Sequence, residues 1–350
     1  MHFKTSLFNI TLFKKDMKLV AWLAFIVTIM LFLDAPLSHI RYLNAIENLN
    51  VQHYDYQQLL DSHAYIITDA LGRNTPIQVL ILLMIPVITA VLLIGEERRT
   101  KTFDLLSVMP YTRSQVYFNK ILAGIASLLI PYFINFGILS MMRVSIKSVS
   151  NIYTHTDIFI WLWMSIVPML LFYSFTVFMG MVVGTTLAQL ILTGIFMIFP
   201  MGFWGLVYMN LDILNLSENY IFAMRGLEKV VQYLTLPVYL KPEALYYGKV
   251  QDYTFQLTMI LIMVSLAFLV ISKRLFIKNK MERNGEILLF QNLETFFKIG
   301  VTFCTMLLVG GFMAMMFDES ILALILGYGV GIGIGWFVPN YFIQMSRAKA

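Results

Sequence analysis

The chain has 350 residues, 59% of them hydrophobic and only 13% charged, with a mean hydropathy of +0.76. Soluble domains carry about 25% charged residues, so composition excludes a soluble enzyme and points to an all-α integral membrane protein built as a polytopic helix bundle. The net charge of +5 is no argument for nucleic-acid binding, because the basic residues follow membrane topology.

Residues 1–17 carry Phe3, Leu7 and Ile10 at helical spacing and suggest a cytoplasmic or interfacial helix, although Phe8 and Leu12 fall off that face and Lys14 falls on it. The apolar run after Lys14, Lys15 and Lys18 starts as a signal peptide would. No small-x-small cleavage site comes after it, so an uncleaved first span is expected. Spans are predicted at 18–39, 76–95, 121–142, 158–183, 187–208, 254–271, 296–317 and 321–343, close to the roughly 20 apolar residues a membrane helix needs. With the N-terminus inside, 17 Lys and Arg fall in cytoplasmic segments and 8 in the longer external loops. The positive-inside rule then places both termini, including a tail at 344–350, in the cytoplasm of a bacterial plasma-membrane protein.

Trp161 and Trp163 mark the outer start of span four, and Trp204 and Tyr208 the outer end of span five, as interfacial aromatics do. The link at 184–186 is short enough to force a tight hairpin. Pro86, Pro131, Pro168 and Pro200 fall within spans two to five, where each removes a backbone hydrogen bond; they either shape a conduit or are simply tolerated. Two external loops carry apolar stripes: Ile40, Leu43, Ile46 and Leu49 in loop one, and Met224, Leu227, Val231 and Leu234 in loop three (210–253). The second stripe suggests a helix at the outer surface. Span eight holds Gly327, Gly331 and Gly335 at G-x-x-x-G spacing, and Gly180 and Gly184 form a similar pair; both let another helix approach closely, from the same chain or a second one. Cys304 sits in an apolar run and is read as packing.

The loop between spans two and three, 96–120, is the most informative segment. Thr102 can cap a short helix with Asp104 in its first turn. Phe103, Leu105, Leu106, Val108 and Met109 would be exposed on it, and Pro110 would end it. Thr112-Arg-Ser-Gln115 then has capping-box spacing and starts a second helix running through Lys120 into span three. On physical grounds such a loop helix either docks against another protein or rests on lipid headgroups.

Glu97 followed by Thr102, Leu105-Leu106, Pro110, Arg113, Val116 and Lys120 resembles the signature loop of ATP-binding-cassette (ABC) type-2 permeases. In that family a Glu leads into Gly-Thr, a Leu-rich turn, a Pro, a Ser-Arg pair and a Lys opening the next helix. Here Lys101 stands in place of the Gly, and Thr112 in place of the Ser. The resemblance implies that 102–109 is a coupling helix seated in a groove of a cytoplasmic ABC ATPase, with Glu97, Thr102, Phe103, Leu105, Leu106, Met109, Pro110, Arg113 and Lys120 as coupling residues. It also implies a six-span core over 18–271, a second permease copy or relative as partner, and ATP with Mg on the ATPase subunit. Residues 272–295, a basic connector, and the two spans within 296–343 lie beyond that core. The layout also looks similar to the larger permeases of Gram-positive exporters of amphipathic toxin peptides (phenol-soluble modulins), which implies an apolar or amphipathic cargo.

Gly95-Glu-Glu-Arg-Arg-Thr-Lys-Thr102 comes close to a phosphate-binding loop but lacks its second glycine and carries two carboxylates, so no cofactor is expected on this chain. The five histidines show no metal-ligand spacing and are read as solvated loop residues. Two other functions compete with an ATP-driven permease. An ion-coupled carrier would need ionisable groups inside the membrane; Asp34, Arg143 and Lys298 read as near span ends, and the interiors as offering only Gln189 and Gln256. A membrane-embedded enzyme would need a polar catalytic set at one depth, and no arrangement in the sequence is specific enough to nominate one.

Overall fold

The computed structural model describes residues 7–47, 71, 75–99, 110–146, 153–214, 217–240, 252–278 and 291–349. Among them are nine α-helices and one short 3-10 helix: α1 (Ile10–Glu47), α2 (Pro76–Arg99), α3 (Arg113–Ser145), α4 (His155–Val182), α5 (Thr186–Ile213), α6 (Ser217–Leu234), the 3-10 turn Leu236–Leu240, α7 (Asp252–Lys278), α8 (Gln291–Met316) and α9 (Ile321–Lys349). All but α6 are long and apolar enough to cross a membrane. Each predicted span falls within one of these eight helices to within a residue. Helix is what hydrocarbon demands, because every backbone donor and acceptor must find its partner within the segment.

The helices outrun the spans. α1 has 38 residues, about 57 Å at helical rise, against a hydrocarbon core of about 30 Å. Residues 10–17 thus belong to the same helix as the first span, and so do Ile40, Leu43 and Ile46 of the loop-one stripe; Leu49 lies outside the described residues. The stripe in loop three does fold as a helix, α6, on which Leu227 and Leu234 are 53% and 59% exposed.

The chain divides into two compact units. The first holds α1, α2 to Glu97, α3, nearly all of α4, and α7 to Ile277. In it α1 and α3 run parallel, since Asn9, Asp16 and Thr28 bond in ascending order to Asn119, Lys120 and Asn135. α7 runs the other way: Ile277 meets Arg113 and Leu269 meets Tyr117. Spans one, three and six of an alternating chain have these directions. α4 contributes the bulk of the interior, with Trp161, Phe172 and Tyr173 all buried. Gly124 of α3 lets it approach: a Cβ there would meet the Tyr173 hydroxyl and lie 2.8 Å from Leu93 Cδ1.

The second unit holds α5, α6, α8 and α9. The turn between α8 and α9 has no glycine; Asp318 and Glu319 take left-handed φ of 50° and 58°, and the Glu319 amide closes onto Ala314 O at 2.9 Å. The two helices then pack along a glycine seam. A Cβ on Gly327 would lie 2.7 Å from Gly310 Cα, one on Gly331 2.7 Å from Met306 Cα, and one on Gly335 2.6 Å from Thr302 Cα. The interleaved Gly329 and Gly333 meet nothing within 4 Å. The seam lies within one chain, between its last two spans. Asn210 fastens this pair to α5, donating to Leu307 O at 3.0 Å and accepting from the Tyr328 hydroxyl at 2.8 Å.

Replacing Gly331 with Val should force α8 and α9 apart at a cost of about 1–3 kcal/mol or more, whereas Gly333→Val should be nearly neutral. Thermal unfolding of the two purified variants in detergent measures the difference, and equal melting temperatures would show that the seam is not close-packed.

Candidate functional site

The loop singled out from sequence opens inside α2, which runs unbroken through Gly95 to Arg99. Backbone amides there are committed to helical bonds, which is not the backbone of a phosphate-cradling loop. Glu97 lies on this last turn. Thr102, Phe103, Leu105, Leu106 and Met109 lie outside the described residues. The description resumes at Pro110, which is exposed, and Thr112 caps α3.

That cap is a reciprocal capping box. The Gln115 amide donates to Thr112 Oγ1 at 3.2 Å, and the Thr112 amide donates to Gln115 Oε1 at 3.0 Å. Two donors at the helix start are thereby satisfied without solvent, so α3 begins at a fixed point immediately after the loop. Its first two turns then make three attachments. Exposed Arg113 donates from Nη1 to Ile277 O at 3.0 Å, a cation on the carbonyl end of α7, where the helix dipole favours it. Tyr117 donates its hydroxyl to Leu269 O at 2.7 Å and packs on Phe276 with ring centroids 5.7 Å apart.

The third attachment is to α1. Asn119, fully buried, accepts from the Asn9 amide and donates to Leu7 O, both at 2.9 Å. Asn9 itself caps α1, its side chain taking the Thr11 amide at 2.9 Å. Beside it, Lys120 Nζ pairs with Asp16 Oδ1 at 3.3 Å; the two side chains are 0% and 2% exposed. Lys15 approaches the same oxygen at 3.3 Å from a side chain that is 40% exposed. Of the described residues singled out for coupling, Pro110 and Arg113 are therefore at the surface, while Lys120 is buried against Asp16 of α1.

Sequence reasoning missed Asn9, Asp16, Tyr117 and Asn119. The available signal was Asp16, an acid set among lysines at the start of an apolar run, together with two adjacent polar residues, Asn119 and Lys120, entering another.

The opposite ends of these helices carry a second polar cluster, and here several expectations need correction. Asp34, expected near the end of span one, lies inside a helix that runs on to Glu47; it accepts from Thr75 Oγ1 at 2.9 Å and Gln78 Nε2 at 2.5 Å. Trp161 is not an interfacial anchor: it is 1% exposed and donates to Gln78 Oε1 at 3.0 Å. His39 is not solvated; it is fully buried, with Nδ1 on Ala35 O at 2.7 Å and its ring edge-on to Tyr153 at 5.2 Å. The carbonyl can only accept, so the proton is on Nδ1. Burial pushes the Tyr153 hydroxyl well above the usual tyrosine range, against a smaller downward pull from Arg143; Tyr153 stays neutral. The helix interiors also hold more than Gln189 and Gln256: Gln78, Asn135 and Asn210 are buried, whereas Gln256 is exposed. Gly180 and Gly184, the other predicted packing pair, are both buried.

Residues 13–281 match the model of a family described as ABC-2 family transporter protein; the match ends before α8. The chain is 28% identical over 267 residues to the probable ABC transporter permease YtrD of Bacillus subtilis (strain 168), covering 75% of this chain and 77% of that protein. No solved structure matches.

Lys120→Met alone strands Asp16 in the interior with only half-exposed Lys15 to answer it, and should cost about 3 kcal/mol. Asp16→Leu combined with Lys120→Met should recover most of that loss, because no unpaired charge remains. Unfolding midpoints of the single and double variants check the sign; a double variant less stable than Lys120→Met would refute the pairing argument.

Proposed function

The chain belongs to the ABC-2 family of transporter proteins, a transmembrane permease rather than an enzyme, and from that premise we propose how it is driven and what it carries. It is the membrane half of an ATP-driven exporter whose partner ATPase grips 102–109 from the cytoplasm. A second permease, a copy or a relative, completes the conduit. Both termini lie on the ATPase side, a placement supported by the bias of 17 basic residues to 8. The cargo is apolar or amphipathic.

The observation that carries this reading is the anchorage of α3. A loop helix can transmit force only if the helix after it does not give way. The capping box fixes the first residue of α3, and within eight residues Asn119 and Lys120 bind it to α1 while Arg113 and Tyr117 bind it to α7. A displacement of the loop is thus delivered to three helices at once. A headgroup-resting loop would need no such anchorage. For cargo, support comes from the layout resemblance and from apolar span surfaces rich in Phe, Met, Leu and Ile.

Phe103 and Leu106, three residues apart and so on one side of a helix, are the anchors expected to fill the ATPase groove, each contributing about 2 kcal/mol or more. Replacing both with Asp should leave membrane insertion intact and release the ATPase, since two charges would enter an apolar groove without counter-ions. The same change at Tyr246 and Tyr247, in the external loop, should not. Co-purification of the co-expressed ATPase decides it, and full occupancy on the Phe103→Asp/Leu106→Asp variant would remove this loop as the coupling element.

A further inference from the structure

Asp34 has no part in the coupling just described, yet its setting is specific. It lies partly exposed within α1, and a single oxygen, Oδ2, accepts both the Thr75 hydroxyl and the Gln78 amide, at 2.9 and 2.5 Å. Among the described residues Oδ1 accepts nothing. Gln78 cannot turn away, because it is fully buried and its Oε1 holds the indole N–H of buried Trp161 at 3.0 Å, which commits its NH2 end to Asp34. Trp161 is backed in turn by Tyr132, also buried, at a ring separation of 5.6 Å.

No cation answers this carboxylate among the described residues. Arg143 spends its Nε–H on the Tyr153 carbonyl at 2.8 Å, and Arg41 is exposed farther along α1 without an ion pair to Asp34. Among the described residues, then, this carboxylate has two neutral donors on one oxygen, none on the other and no cation, a costly arrangement inside a membrane helix. A metal ion does not fit: hard cations take six or more oxygens, and no cluster of three or more metal-ligating side chains occurs among the described residues. The neighbouring surface is apolar, with Leu33, Ile77 and Leu80 exposed by 41–51%.

We propose that Asp34 binds a cationic nitrogen, an ammonium or guanidinium, on a lipophilic molecule, with Oδ1 as the acceptor and the Gln78–Trp161 pair holding the carboxylate in place. That the molecule is cargo rests on the exporter reading; the binding itself does not. The competing role is purely structural: Thr75 Oγ1 accepts the Gln78 backbone N–H at 3.4 Å as the cap of α2, and Asp34 would merely steady it. Asp34→Asn separates the two, because an amide oxygen can still accept from Thr75 and Gln78 but carries no charge.

The test uses the permease purified with its ATPase in lipid nanodiscs, with 1-adamantylammonium as the cation, 1-adamantanol as its neutral isostere, and sodium as the inorganic competitor. We expect saturable binding of the ammonium above that of empty nanodiscs, weakened at least about tenfold in Asp34→Asn. Adamantanol should show no saturable binding, sodium should not compete, and the variant should keep the parent melting temperature and ATPase occupancy. Absence of saturable ammonium binding to the parent, equal binding by the alcohol, displacement by sodium, or unchanged affinity in Asp34→Asn would each overturn the proposal. ATPase occupancy reports on the docking loop and ammonium binding on Asp34, so either can fail without the other.

Discussion

A lysine and an aspartate that exclude water from each other's surroundings, Lys120 and Asp16, organise the first unit. Neither charge can be left alone at that depth, because the desolvation penalty of one ion exceeds anything a neighbouring apolar contact returns. The pairing therefore dictates which faces of α1 and α3 meet and fixes their axial offset. Asn119 one residue earlier and Asn135 four turns later bind the same two helices in the same register, the latter donating to Thr28 O at 3.2 Å. In lipid, where apolar faces have no reason to prefer protein over acyl chain, such polar contacts do the selecting.

The second unit is assembled by a different force. Between α8 and α9 the selecting agent is shape: three glycines on one face bring the backbones within van der Waals reach over two turns, while the other glycines of the same run stay open. Sequence spacing shows both glycine series equally well. What chooses between them is the partner surface, where Gly310 and the backbone at Met306 and Thr302 leave room for one series only. The attachment to α5 reverts to polar logic, because Asn210 has both ends of its amide satisfied by the α8–α9 pair.

Much of this was legible from composition and period. The eight apolar runs, the capping box at Thr112 and the helical stripe in loop three each depend on contacts within a few residues, which sequence displays directly. Roles that depend on contacts across the fold were not legible. Trp161 has the sequence position of an interfacial anchor, and only the presence of Gln78, 83 positions earlier, makes it a buried donor. His39 sits at a predicted span end, where solvation is the ordinary outcome, and its burial comes from Tyr153 closing over it. Hydropathy falls beyond Asp34 while the helix continues to Glu47, because backbone hydrogen bonding does not stop where apolarity does, and the partners Thr75 and Gln78 lie more than 40 positions away.

The two polar clusters also differ in kind, and the difference bears on how a bundle of this sort can transmit force. At the loop end the contacts are closed: Asn119, Lys120 and Asp16 are buried and mutually satisfied, so they resist separation. At the other end Asp34 is held by neutral donors on one oxygen only, and His39 Nε2 and the Tyr153 hydroxyl have no hydrogen-bond partner among the described residues. One end of the unit is thus a closed joint and the other an under-satisfied one among the described residues. α2 is tied to α1 at this second end, through Thr75 and Gln78 on Asp34. Rearrangement there breaks two hydrogen bonds to a carboxylate, each contributing about 1.5–3 kcal/mol, rather than a buried ion pair. Among the described residues, then, a rearrangement at the loop end can only break bonds, whereas at the Asp34 end it can also give His39 Nε2 and the Tyr153 hydroxyl the partners they lack.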